Sequence, residues 1–224
     1  MVYEMLKKEV VAENETYCKN MLKIIKEREE ILKRESTPTR WGQYQKKIIT
    51  YPELVEYTSE RIKKKYRKTV QSELEVLKQI EEAETPKEIV IHVDWVKNTY
   101  WGNNPHATIT DGKRRYFGSA SGCGYDKRSA AVAQAANQSI RILKILCDKK
   151  ELELQKGKTG TNNAIIGYGS GYSAIPELKG GVGIESFKKI FENCGYNWND
   201  YSGEKYDMYI VTKMGENGNE KICN

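Results

Sequence analysis

The chain has 224 residues, 38% of them hydrophobic and 30% charged, with a formal net charge of +6. It is long enough for one large core or two small ones, and no run approaches the ~20 apolar residues of a membrane span. The opening stretch MVYEMLKKEVVAENE lacks an apolar leader core, so a cytoplasmic protein with no membrane partner is expected. Five scattered Cys without a C-x-x-C pair read as reduced thiols, not as disulfides or zinc ligands.

Charge is spread unevenly. Residues 1–85 hold 18 Lys/Arg against 16 Asp/Glu, residues 86–150 hold 11 against 5, and residues 151–224 hold 8 against 10. The middle segment therefore carries the whole excess, which favours a polyanionic partner.

Residues 2–35 place Met5, Leu6, Val10, Met21, Leu22, Ile25 and Leu32 at helical spacings, which predicts a helix with a break at Asn14 and Glu15. Pro38 and Gly42 predict a loop over residues 36–42, and Ile48 and Ile49 a short extended piece. A second helix is expected from Tyr51 to about Glu84, with Pro52 in its first turn and a stripe of Ile62, Tyr66, Val70, Leu74, Leu77 and Ile80 or Glu81. The two helices would form a hairpin over residues 1–85, able to pair with a second copy of itself. Arg61, Lys63, Lys64, Lys65, Arg67 and Lys68 form its sharpest charge cluster, a candidate phosphate-facing ridge.

Residues 86–155 change character. Ile89, Ile91, Val93 and Trp95 alternate with Val90, His92, Asp94 and Val96, which predicts a strand with Trp95 in the core. Residues 100–105 are turn chemistry and residues 106–110 a second strand. Asp111 and Gly112 signal a hairpin, and residues 113–119 a third strand. Asp126 would cap one helix running from Lys127 to about Lys150, with Ala130 or Ala131, Ala133, Asn137, Ile140, Leu143 or Lys144, and Cys147 inward.

The order of strands and helix, with Gly102-Asn103-Asn104-Pro105-His106 before the second strand and Gly122-Cys123-Gly124-Tyr125-Asp126-Lys127-Arg128-Ser129-Ala130 opening the helix, resembles the double-stranded-RNA-binding domain. The resemblance covers about 60 residues by the motifs quoted. It implies that the Pro105-His106 turn, with Trp101, Asn103, Asn104 and His106, meets a minor groove. It also implies that Lys127 and Arg128 meet phosphates at a helix N-terminus, supported by Lys113, Arg114 and Arg115 on the hairpin. The pattern departs from the family's in Asp126, beside the cations, and in Val132 and Gln134, where a further Lys is usual.

Residues 156–215 predict a small strand–helix–hairpin unit that could extend the central sheet. Its helix spans residues 185–193 and its hairpin runs from Tyr196 through Ser202 and Gly203 to Lys213. The glycines at 167, 169 and 171 and at 180, 181 and 183 lack the Gly-Lys-Ser/Thr of a phosphate loop. Residues 216–224 read as a disordered tail. Two His in the whole chain leave few players for acid–base catalysis, and Cys123 is the one nucleophile candidate. No catalytic residue, metal site or cofactor is expected.

The expectation is thus an α+β, non-enzymatic binder of nucleic acid, RNA before DNA, or of a nucleoprotein complex. A second expectation rests on composition: the Lys/Glu/Ile/Tyr/Asn-rich chain resembles small orphan proteins of phages and mobile elements of Gram-positive bacteria. Some of these, anti-CRISPR proteins among them, inhibit host nucleases.

Overall fold

The computed structural model describes residues 2–98, 102–119, 127–151 and 184–215. Of the turn expected at 100–105, residues 100 and 101 lie outside the described residues, as do the Gly-x-Gly turn with Asp126, the Gly-rich stretches within 152–183 and the tail at 216–224. Residues 102–105 are strand, not turn, because antiparallel pairing with residues 95–98 carries the second strand back past Pro105. The chain is α+β, with helices α1 (Val2–Glu27), α2 (Glu29–Glu35), α3 (Pro38–Gln45), α4 (Tyr51–Glu82), α5 (Lys127–Ala136), α6 (Ile140–Asp148) and α7 (Ile184–Asn193). Its strands are β1 (Glu88–Asn98), β2 (Gly102–Thr110), β3 (Arg115–Ser119), β4 (Tyr196–Asp200) and β5 (Tyr206–Lys213). Two compact units divide it between Leu77 and Lys78, with Val2 counted in the second.

The first unit is helical. In α1 the buried side chains Leu6, Val10, Asn14, Cys18, Met21 and Ile25 recur every three or four residues. Cys18, Met21, Ile25 and Leu32 gather with Leu54 and Ile62 of α4 into one core, rimmed by Trp41, Tyr44 and Tyr66. The Tyr51 hydroxyl donates to the Lys26 carbonyl at 3.3 Å, and Asn14 meets Glu73 at the other end, so α1 and α4 run antiparallel.

Three local expectations are corrected here. Asn14 does not break α1: its amide donates to the Val10 carbonyl at 3.0 Å and to Glu73 Oε2 at 2.6 Å, and it lies buried mid-helix. The break falls at Arg28, whose backbone is extended, and nothing in the residue type explains it. Residues 38–45 are helix, not loop. Thr37 accepts from the Arg40 N–H at 3.3 Å, and Pro38 occupies the first turn, where its missing N–H costs nothing. Ile48 and Ile49 follow a left-handed Lys47 (φ 57°) in a turn, and do not form an extended piece.

The second unit is built on an antiparallel sheet of five strands, ordered β3-β2-β1-β5-β4. The expected three-stranded sheet is therefore extended, because the C-terminal hairpin pairs along the free edge of β1, with Ile91 opposite Tyr209 and Ile89 opposite Val211. One face carries Ile89, Ile91, Val93, Ala107, Ile109, Tyr209, Val211 and Tyr196, all buried. Gly118 lies in register with Ala107 on this face, and a Cβ there would sit 2.0 Å from the Ala131 carbonyl oxygen. Small residues on both sides thus let α5 approach the sheet backbone to backbone. At the other end Phe187 and Phe191 of α7 pack against Trp198, which stacks at 4.8 Å on Tyr209.

The single helix expected over 127–150 is broken at residues 137–139. Ser139 accepts from the Ile142 N–H at 3.2 Å, capping α6, and donates to Asp111 Oδ2 at 2.7 Å. The break resets the helical phase. Of the inward set expected from one helix, Ala131, Ala133, Asn137, Leu143 and Cys147 are buried, but Ile140 is only half-buried, and Ile142, Ile145 and Leu146 are buried as well. Trp95 is also corrected. It sits on the core face by parity, opposite Pro105, but is 42% exposed.

Candidate nucleic-acid interface

The β2–β3 hairpin carries Lys113, Arg114 and Arg115, all exposed. Its shape is set by Asp111, 1% exposed, whose Oδ1 accepts the backbone N–H of Lys113 at 2.9 Å and of Arg114 at 3.1 Å. Oδ2 accepts the hydroxyls of Ser139 at 2.7 Å and Tyr116 at 3.2 Å. Arg141 lies 3.7 Å from Oδ1 and donates to the Asp111 carbonyl. Burial pushes this carboxyl up, but the Ser139 hydroxyl, the two backbone N–H groups and the Arg141 charge together hold it below the ordinary value. Gly112 takes φ +81°, which closes the turn. What reads in sequence as a turn signal is a buried anion that stiffens a cationic hairpin.

The other expected residues divide. Lys113 Nζ lies 3.6 Å from Glu84 Oε2, and Arg128 in the first turn of α5 lies 3.8 Å from Asp207 Oδ2. Both cations are therefore partly engaged within the chain. His106 is exposed on β2, whereas Asn104 is buried. Asn103 and Lys127 belong to β2 and α5, but their side chains, with Trp101, lie outside the described residues.

The second sheet face went unrecognised in the sequence. Opposite the helices, strand parity places Arg115, Phe117 and Ser119 on β3, beside His106, Thr108 and Thr110 on β2. His92 and Asp94 on β1 and Tyr206 and Met208 on β5 continue it. Phe117 is 65% exposed. A usable signal was present: Gly118 facing an Ala-rich helix forces its neighbour Phe117 outward.

On the first unit, the cation cluster of α4 resolves into faces. Ile62 is buried and Tyr66 half-buried, so Arg61, Lys64, Lys65 and Lys68 share one solvent stripe at spacings of three, four and seven. Glu60 pairs with Lys63 at 2.7 Å on the other flank, and Arg67 Nε donates to the Lys63 carbonyl there at 3.4 Å. Among the described residues, Lys64, Lys65 and Lys68 form no ion pair. Tyr57 extends the stripe by one turn, with the Arg40 guanidinium over its ring at 4.8 Å. Its hydroxyl is held below the ordinary value by a hydrogen bond with Thr37, then by the hydrogen bond and charge of Arg61 and the charge of Arg40.

The described thiols are all buried. Cys18, Cys147 and Cys194 are free and buried, and burial pushes the thiols of Cys147 and Cys194 up to about 12. Cys123 lies outside the described residues. No group of three His, Cys, Asp or Glu among the described residues is placed to hold a metal, and none of the described helices is long and apolar enough to cross a membrane. No family model, curated protein sequence or solved structure matches the chain.

Proposed function

We propose that this chain is a non-enzymatic nucleic-acid-binding protein that holds a phosphate backbone, RNA before DNA. The observation that carries the reading is the α4 stripe of Arg61, Lys64, Lys65 and Lys68, four exposed cations with no acid among them. From Tyr57 to Lys68 the stripe runs about 16 Å along the helix, the reach of two or three phosphates. No exposed apolar residue flanks these four positions, which favours a polyanion over a membrane surface. The stiff Lys113-Arg114-Arg115 hairpin is a second cationic surface, and the resemblance of its surroundings to an RNA-binding module is what favours RNA.

A salt-titrated binding measurement with duplex RNA, duplex DNA and single strands tests this. The wild type binds at low salt with an affinity falling steeply as salt rises. Replacing all four stripe cations by Ala reduces the slope of log K against log salt by about 2 to 3 for a duplex. Absence of binding to every nucleic acid at low salt refutes the reading. Stoichiometric recovery of one host protein under those conditions would point instead to the inhibitor reading.

A further inference from the structure

We infer that the open face of the sheet is a stacking platform for unpaired nucleobases, so that the nucleic acid bound is single-stranded where it crosses the second unit. This rests on the nucleic-acid reading above and adds the part of the molecule that is read.

Register defines the face row by row. Phe117, Thr108, His92 and Met208 lie side by side across β3, β2, β1 and β5. The next row is Ser119, His106, Asp94 and Tyr206. Arg115 begins the row on the other side of Phe117, beside Thr110. Phe117 is 65% and Tyr206 40% exposed, each presenting a ring to solvent. Tyr206 is already stacked on His92, with centroids 5.4 Å apart and planes 32° from parallel, and His92 Nδ1 lies 3.3 Å from Asp94 Oδ2. That flank is preorganised, and its one nearby carboxylate is engaged by a histidine.

Three features select the occupant. Charge is complementary: Lys113, Arg114 and Arg115 stand exposed at the hairpin end, and Arg115 is two residues from Phe117 on the same face. Between the rings lie the Thr108 hydroxyl and the imidazoles of His92 and His106, with Asp94 and Met208, a mixed surface and not continuous hydrocarbon, which suits base edges. Finally, the outer edge of β3 is closed to strand addition by a protein partner. The Ser119 N–H donates to Gln134 Oε1 at 3.2 Å, and the Phe117 carbonyl accepts from Gln138 Nε2. Phe117 and Tyr206 lie three strand spacings and one row apart, about 16 Å, some two nucleotide steps of an extended strand. A duplex offers no base faces to such a surface, whereas a single strand does.

The test compares labelled oligouridylate with a blunt RNA duplex, using wild type, Phe117→Ala, Tyr206→Ala and Arg115→Gln. The expected result is a roughly ten-fold loss of oligouridylate affinity for each aromatic variant, with duplex affinity and salt slope unchanged. Arg115→Gln lowers the oligouridylate salt slope by about 0.7. Because both rings are exposed, the aromatic variants fold, and circular dichroism checks this. If wild type binds RNA but Phe117→Ala and Tyr206→Ala bind oligouridylate as wild type does, this inference fails and the phosphate-binding reading survives. If wild type binds neither RNA, both fail. A self-association in sedimentation that Phe117→Ala abolishes makes the face a dimer interface and also overturns the inference.

Discussion

The buried Asn14–Glu73 pair makes the helical unit weaken as pH rises through neutrality. Glu73 is 6% exposed, and its Oε2 is met by the Asn14 amide at 2.6 Å while its Oε1 finds no partner. Burial pushes the carboxyl from 4.5 up to about 7, outweighing the Asn14 hydrogen bond, and the Glu13 charge adds to the rise. Below pH 4.5 both folded and unfolded chains hold the proton. Between 4.5 and about 7 only the folded chain keeps it, so each step up in pH favours unfolding, and above about 7 the loss is complete. At 1.36 kcal/mol per unit, a rise from 4.5 to about 7 amounts to at most about 3 kcal/mol. Glu73→Gln keeps an acceptor for Asn14 and cannot ionise. Urea denaturation of both proteins near pH 5 and near pH 8 isolates the effect, since other titrating groups cancel in the difference. The variant's stability relative to wild type should rise by about 2 to 3 kcal/mol from the lower to the higher pH. An equal pH dependence in the two proteins, or a variant that loses stability relative to wild type across this window, refutes the reasoning.

Other outcomes follow from the second unit. Gly118→Ala forces a methyl to within 2.0 Å of the Ala131 oxygen and 2.7 Å of the Ala135 nitrogen, both backbone atoms that cannot swing aside. Thermal melting should show a loss of about 3 kcal/mol, and an unchanged midpoint would exclude so close a helix approach. Asp111→Ala leaves the Ser139 and Tyr116 hydroxyls without their acceptor and Arg141 without its counter-charge, and should cost about 3 to 5 kcal/mol. Because the Asp111 carboxyl is held below 3.8 in the folded chain, its contribution is present above that pH and lost as pH falls through the lower folded value. Wild type should therefore lose more stability on acidification than Asp111→Ala does, as acid titration of the circular dichroism signal would show. Cys147 and Cys194, raised to about 12, should resist a thiol reagent in the native state and react on unfolding; immediate labelling of both would contradict their burial.

Local periodicity determined much of this molecule. Apolar residues every three or four positions made α1 and α4, alternation made β1, and Asp111-Gly112 made a turn, since these signals depend on neighbours a few residues away. The basic hairpin and the α4 cations were legible for the same reason. Tertiary contact decided the rest. Ser139 ends one helix and starts another because a carboxylate 28 residues earlier in the chain accepts its hydroxyl. Glu73, a surface residue type, is buried because α1 offers it Asn14. Phe117 and Trp95 are both aromatic strand residues, yet neither is in the core. Alternation assigns Phe117 to the open face, whereas Trp95 has core-face parity and is still 42% exposed. The five-stranded order required β5 to find β1 across more than a hundred residues, and with it came the open face on which Tyr206 meets His92. Sequence specifies which side of an element a residue takes; what covers that side is set only when distant elements pack.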